Sequence, residues 1–114
     1  MQCQVRDVAM HYVEHGAGKP VLVLHGAGVD HREAEACFEP ALGAVGGLRR
    51  IYPDLPGMGQ TRAPATLRSS DDILDRLLDF TEEIVGREPI RLVGHSAGAY
   101  YSRGFAARRP DRVA

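Results

Sequence analysis

At 114 residues, 44% hydrophobic and 25% charged, the chain has the balance of one globular unit and is too short for two. Its formal net charge of −1 offers no basic surface to a nucleic acid or an anionic membrane, and neither is expected as a partner. Cys3 and Cys37 have no metal-ligand spacing and no secreted disulfide framework around them, Met1 to Val8 lacks a signal-peptide apolar run, and no stretch approaches a membrane span, so a cytoplasmic location is expected.

Val5, Met10, Tyr12 and Val13 stand between charged and turn-forming residues and predict two short strands or one hairpin, closed by the turn from Gly16 to Pro20. Val21 to Leu24 is an unbroken aliphatic run, suited to a parallel strand buried on both faces, and it stops at His25-Gly26-Ala27-Gly28. Residues 34–45 can be helical, but Pro40 fits only a first turn, which predicts that the regular helix starts near Phe38 and ends at Gly46 and Gly47. Leu48 to Asp54 is the next strand, followed by a polar, proline-containing loop. Ser70 is predicted to cap a helix with Asp71 and Asp72 in its first turn, along which Ile73, Leu77, Phe80 and Ile84 recur at helical spacing up to Gly86. Ile90 to Val93 is a further strand, and Gly94-His95-Ser96-Ala97-Gly98 turns into a helix that runs to about Arg108, before Pro110.

This alternation predicts the α/β class, with a mostly parallel sheet and helices on both of its faces. Ligands of such sheets bind at the carboxyl ends of the strands. The three glycine-rich segments, residues 26–28, 57–59 and 94–98, each follow a strand and are expected to meet at that edge.

Gly94 to Gly98 matches G-x-S-x-G between an aliphatic strand and a helix. A serine that exposes its Oγ at the top of a sheet needs a strained strand-to-helix turn, with neighbours two residues away too close for a Cβ, and Gly94 and Gly98 meet that need. The N–H groups opening the helix aim at the place where an oxyanion would form, with Ala97 N–H as the first candidate donor. Serine is also a favoured N-cap, so the rival reading is that Ser96 only caps the helix.

His25-Gly26-Ala27-Gly28, Asp54-Leu55-Pro56-Gly57-Met58-Gly59 and Gly94-His95-Ser96-Ala97-Gly98 together make the chain resemble the α/β-hydrolase superfamily, in the order of that fold's strands three, four and five. The resemblance implies a single partial domain over residues 1–114, the N-terminal half of the fold with strands one to five and the first three helices. It implies that Ser96 is the nucleophile of a serine hydrolase acting on a small-molecule ester or related acyl substrate, without a cofactor or metal. It also implies that Ala27 supplies the second oxyanion N–H beside Ala97, with His25, Gly26, Gly94, His95 and Gly98 as structural parts of the motifs. A serine in place of an aspartate disfavours dehalogenase and epoxide-hydrolase chemistry. A non-catalytic binding protein on the same scaffold, or an inactive fragment, is the alternative.

The other polar residues read as structural. His95 continues the strand and should point away from Ser96; His31 reads as a solvated loop residue, and His11 and His15 have no evident partner. Asp54 is expected to organise the loop from Pro56 to Thr61 by accepting backbone N–H bonds, and Asp30 to serve a turn or cap. Met58, Tyr100 and Tyr101 read as packing residues, with at most one tyrosine facing a pocket. Neither Gly26–Gly28 nor Gly57–Gly59 has the third glycine of a dinucleotide fingerprint, and no Walker lysine follows.

A serine hydroxyl needs a base oriented by a third group. After Ser96 the sequence has no histidine, and Asp111 is its one acid. The expectation is therefore that triad acid and histidine lie outside this sequence and that the family activity belongs to a longer parent. The strand at Ile90 to Val93 would then carry an unpaired apolar edge, which predicts self-association or low stability.

Overall fold

β3 (Lys19–Leu24) is the strand on which everything else is laid, and in the computed structural model, which describes residues 1–114, every residue of it after Lys19 is buried. Its side chains alternate between two cores. Val21 and Val23 face one layer with Ala34 and Tyr52, and Leu22 and Leu24 face the other with Leu74, Leu77, Phe80 and Phe105. An aliphatic run without polar interruption is what a strand covered on both sides requires.

The sheet has the order β1-β2-β4-β3-β5 and is mixed. β3 pairs in parallel with β4 (Leu48–Pro53) and with β5 (Arg91–Gly94). β1 (Gln2–Val5) and β2 (Val8–His15) form a hairpin through a two-residue turn in which Arg6 takes φ 53°, and β2 continues antiparallel to β4. A two-residue connection can only reverse the chain, so the N-terminal third of the sheet is antiparallel, and the parallel part is β4-β3-β5.

Helices lie on both faces. α1 (His31–Val45) packs Phe38 and Leu42 over the Val21 and Tyr52 layer, while α2 (Ser70–Val85) and α3 (Ala97–Arg108) cover the other. A 3₁₀ turn at Pro110–Arg112 follows. α2 begins one residue before its expected start, because Ser69 is the cap, accepting the Asp72 N–H at 3.2 Å.

α1 departs further from expectation. It starts at His31 and runs through Pro40, where a start near Phe38 is predicted. The start is set by Asp30, whose carboxylate accepts the Arg32 N–H at 3.0 Å and also pairs with the Arg32 guanidinium, which holds the Asp30 carboxyl down at about 2. Pro40 is exposed, so the Ala36 carbonyl that loses its helical donor is left near water, and packing of Phe38 and Leu42 carries the helix across the gap. No helix is long and apolar enough to cross a membrane.

β5 is the edge of the sheet. Its lead-in residue Ile90 forms a parallel bridge with Val113, through Ile90 N–H to Arg112 O at 2.7 Å and Ala114 N–H to Ile90 O at 3.0 Å. Cys3 is buried and Cys37 exposed, both as free thiols.

Replacing Pro40 restores one helical hydrogen bond at an exposed site. Pro40→Ala should therefore raise the unfolding free energy by about 1–2 kcal/mol, the helix gain being partly offset by a more flexible unfolded chain. Urea denaturation followed by circular dichroism measures this, and a decrease would show that the proline is accommodated without loss.

Candidate active site at the carboxyl edge of the parallel strands

The loops leaving β3, β4 and β5 converge at one end of the sheet, as their glycines predict. Ser96 stands at the tip of the third, exposed, with φ 57° and ψ −115°. A residue with a Cβ pays about 1–3 kcal/mol for such a backbone, so surrounding contacts must impose it. They do so through close approach. A Cβ on Gly98 would collide with the Leu24 and His25 carbonyls, and one on Gly94 would collide with the Gly98 peptide. The opening of α3 is thus pressed against the end of β3 with no room for side chains.

Ser96 makes no side-chain cap bond to α3. The first turn is closed by backbone instead, Gly98 N–H donating to His95 O at 2.9 Å and Tyr100 N–H to Ser96 O at 3.1 Å. The rival reading of Ser96 as a side-chain cap fails on this point, and the residue is exposed. Ala97, half-buried, follows it as the first helical residue.

His25 is completely buried between the loops. Its Nε2 receives the Leu55 N–H at 2.9 Å, and its Nδ1 lies 2.6 Å from Gly26 O. An amide can only donate and a carbonyl only accept, so the partners assign the neutral imidazole with its proton on Nδ1. The bond to Gly26 O also orients the next amide. In a planar trans peptide the C=O and N–H point in opposite directions, so Ala27 N–H is turned away from the imidazole. Ala27 is exposed, and its N–H donates to no acceptor of the chain. The loop abuts the elbow, since a Cβ on Gly26 would stand 3.6 Å from Ser96 Cβ.

Asp54 is the second buried anchor. One oxygen accepts the His31 N–H at 2.7 Å and lies 2.8 Å from His31 Nδ1; the other accepts the Gln60 N–H at 3.0 Å and lies 3.0 Å from His11 Nδ1. Burial pushes its carboxyl up, but the bonds from Gln60, His31 and His11 outweigh it and hold the group below the usual carboxylate range. The Gln60 bond is the loop contact expected of Asp54. The expectations for three histidines are corrected here. His31 is a buried first residue of α1, not a solvated loop residue, and His11 has a partner in Asp54, its ring 5.2 Å from that of His31. His15 also has one, with Nε2 2.6 Å from Glu35 Oε2. None of these pairs spans neighbours in sequence, so no local pattern announces them.

His11, His31 and Asp54 bring metal-ligand atoms within 4.8 Å of one another. The two carboxylate oxygens already take two N–H donors each, and the cluster reads as a closed hydrogen-bonded hub. The same closure keeps Asp54 from serving as an acid to a base at Ser96.

His95 is exposed, its Nδ1 3.1 Å from Glu33 Oε2. Glu33 also accepts the Gly26 N–H at 2.9 Å. Asp30-His31-Arg32-Glu33 has the spacing of a capping box, the one sequence signal that could have singled out Glu33. Tyr101 is buried and Tyr100 is 63% exposed, so one packs and one faces solvent; Met58 packs against the main core. None of the five histidines hydrogen-bonds the Ser96 hydroxyl; Nδ1 of His11, His31 and His95 and Nε2 of His15 face carboxylates, and both ring nitrogens of His25 are engaged.

The family model described as alpha/beta hydrolase fold matches residues 19–114. The (E)-2-((N-methylformamido)methylene)succinate hydrolase of Acinetobacter baylyi is 32% identical over 90% of this chain and 38% of its own length. Epoxide hydrolase 3 of Siraitia grosvenorii is 36% identical over 93% of this chain and 33% of its own. Among solved structures, an alpha/beta superfamily hydrolase from Oenococcus oeni superposes with a TM-score of 0.85 at 34% identity, over 99% of this chain and 41% of that one. The chain thus spans well under half the length of these relatives.

Asp54→Asn replaces one acceptor oxygen by an NH₂ that faces N–H donors, and should lower the unfolding free energy by about 2–4 kcal/mol at neutral pH. Because the Asp54 pKa is depressed in the fold, its contribution is complete above the unfolded carboxylate pKa of about 3.9 and is lost as pH falls through the lower folded value. Urea titrations from neutral to acid pH should show the two proteins converging below about pH 4. Parallel curves would remove Asp54 as the anchor.

Proposed function

Because this chain belongs to the alpha/beta hydrolase fold family, we propose that it carries the nucleophile half of a serine hydrolase acting on a small-molecule ester or related acyl compound. The observation that carries this reading is Ser96, held at φ 57° without capping α3. Strain of that kind on an exposed non-glycine residue clusters at active sites, and a helix start does not require it.

In the proposed reaction Ser96 Oγ bonds to the substrate carbonyl carbon as its proton passes to a base. The Ala27 and Ala97 amides donate to the resulting oxyanion. Collapse breaks the bond to the leaving group, which takes the proton, and water then hydrolyses the acyl-serine ester. A histidine and an acid outside residues 1–114 supply and orient the base, since no histidine within them bonds Ser96.

Ser96 also bears on the choice among relatives. A serine oxygen that opened an epoxide or displaced a halide would leave an alkyl ether, which water does not readily cleave, whereas attack on a carbonyl leaves a hydrolysable ester. This chemistry favours acyl substrates here, although one relative bears the name epoxide hydrolase. A binding protein on the same scaffold is the second reading, favoured by the absence of a base at Ser96.

A fluorophosphonate probe applied to the full-length protein should label Ser96, with labelling abolished in Ser96→Ala. Absence of labelling would favour the binding reading. Residues 1–114 alone should turn over p-nitrophenyl acetate no faster than their Ser96→Ala variant, and robust Ser96-dependent turnover would overturn the assignment of the base to residues outside them.

A further inference from the structure

Gly26 lies in the loop after β3, against the elbow that carries Ser96, and both peptides that flank it are held. The following one, bearing Ala27 N–H, is held by His25 Nδ1 on Gly26 O. The preceding one is held by Glu33, whose Oε1 accepts the Gly26 N–H at 2.9 Å. That N–H is buried and has no other acceptor in the chain. The second oxygen of Glu33 lies 3.1 Å from His95 Nδ1, on the residue preceding Ser96, and accepts the Cys37 thiol at 3.1 Å.

A glutamate three residues after an N-cap ordinarily folds back onto the cap's own N–H. Here the carboxylate extends away from Asp30 and spans the loop after β3 and the elbow after β5. We propose that Glu33 is a positioning residue: it clamps the Gly26 peptide against His95 and so sets the Ala27 amide beside Ser96. The proposal rests on the reading of Ser96 as nucleophile.

The two contacts differ in weight. His95 is 58% exposed, so its pairing with Glu33 is screened and contributes little by itself. The Gly26 bond satisfies a buried donor, and losing it frees the peptide to rotate or take in water. Burial pushes the Glu33 carboxyl up, yet the Gly26 N–H, the Cys37 thiol and nearby His95 outweigh it and leave the group below its ordinary range, so the carboxylate is the form present at neutral pH.

The test measures amide hydrogen exchange by nuclear magnetic resonance and the rate of fluorophosphonate labelling, both in the full-length protein. In Glu33→Ala the Gly26 amide should exchange about tenfold faster or more, with Leu22 and Val23 unchanged as markers of the intact sheet. Glu33→Gln, which keeps a carbonyl acceptor, should restore Gly26 protection, and Ser96→Ala should leave it unaltered. Ser96 labelling should slow about tenfold in Glu33→Ala and recover in Glu33→Gln. If the alanine variant does not fold, Glu33→Asp, one methylene too short to span both loops, takes its place with the same expectation. Wild-type Gly26 exchange in the alanine or aspartate variant would overturn the proposal, as would unchanged labelling beside a loosened Gly26. Failure of the wild-type protein to label would defeat the nucleophile reading instead, with Gly26 exchange still deciding whether Glu33 is a clamp.

Discussion

The site depends on how closely the start of α3 approaches the end of β3. Gly98 touches the Leu24 and His25 carbonyls, Gly94 touches the Gly98 peptide, and no side chain fits between them. That contact holds Ser96 at φ 57° and ψ −115°, in a region an L-residue avoids, and its side chain makes no bond to the helix it precedes. The energy that sustains this strain comes from elsewhere: β3 is buried on both faces, and β5 is paired to it from Val21↔Arg91 to Leu24↔Gly94, up to the residue before His95. Strand pairing places the two ends, and the glycines let them meet.

Around that contact the loops are tied by buried polar residues more than by apolar packing. His25 bonds the loops after β3 and β4 through its two nitrogens, Asp54 ties the β4 loop to α1 and β2, and Glu33 ties the β3 loop to the elbow. Irregular backbone that is taken from water must find partners, and at a strand edge that has run out of neighbours side chains supply them. The ties run outward from β3, so the glycine-rich segments are joined into one rim and are not three separate turns.

Much of this was legible beforehand, for reasons particular to each element. The aliphatic run at Val21 to Leu24 cannot face water on either side, and the spacing of Leu77, Phe80 and Ile84 allows only a helix. The expected helix is shorter than α1 because proline breaks a helix from within, whereas the exposed Pro40 costs one bond that Phe38 and Leu42 outweigh by packing. The N-terminal strands were expected, while the order β1-β2-β4-β3-β5 was not, since nothing local tells β2 to pair with β4.

The sequence by itself determined that three glycine-rich turns follow strands and that the third presents a serine, because strand burial and tight turns impose short-range patterns on residue type. It also determined the small residues at positions 27 and 97. Tertiary structure alone decided the long-range partners of the polar side chains. His11, His31 and Asp54 come together from three elements, and Glu33 leaves its own helix cap for Gly26 and His95. The physical reason is that a hydrogen bond is satisfied by any partner within about 3 Å, whatever its distance along the chain, so its identity is settled only once the strands have set which loops are neighbours.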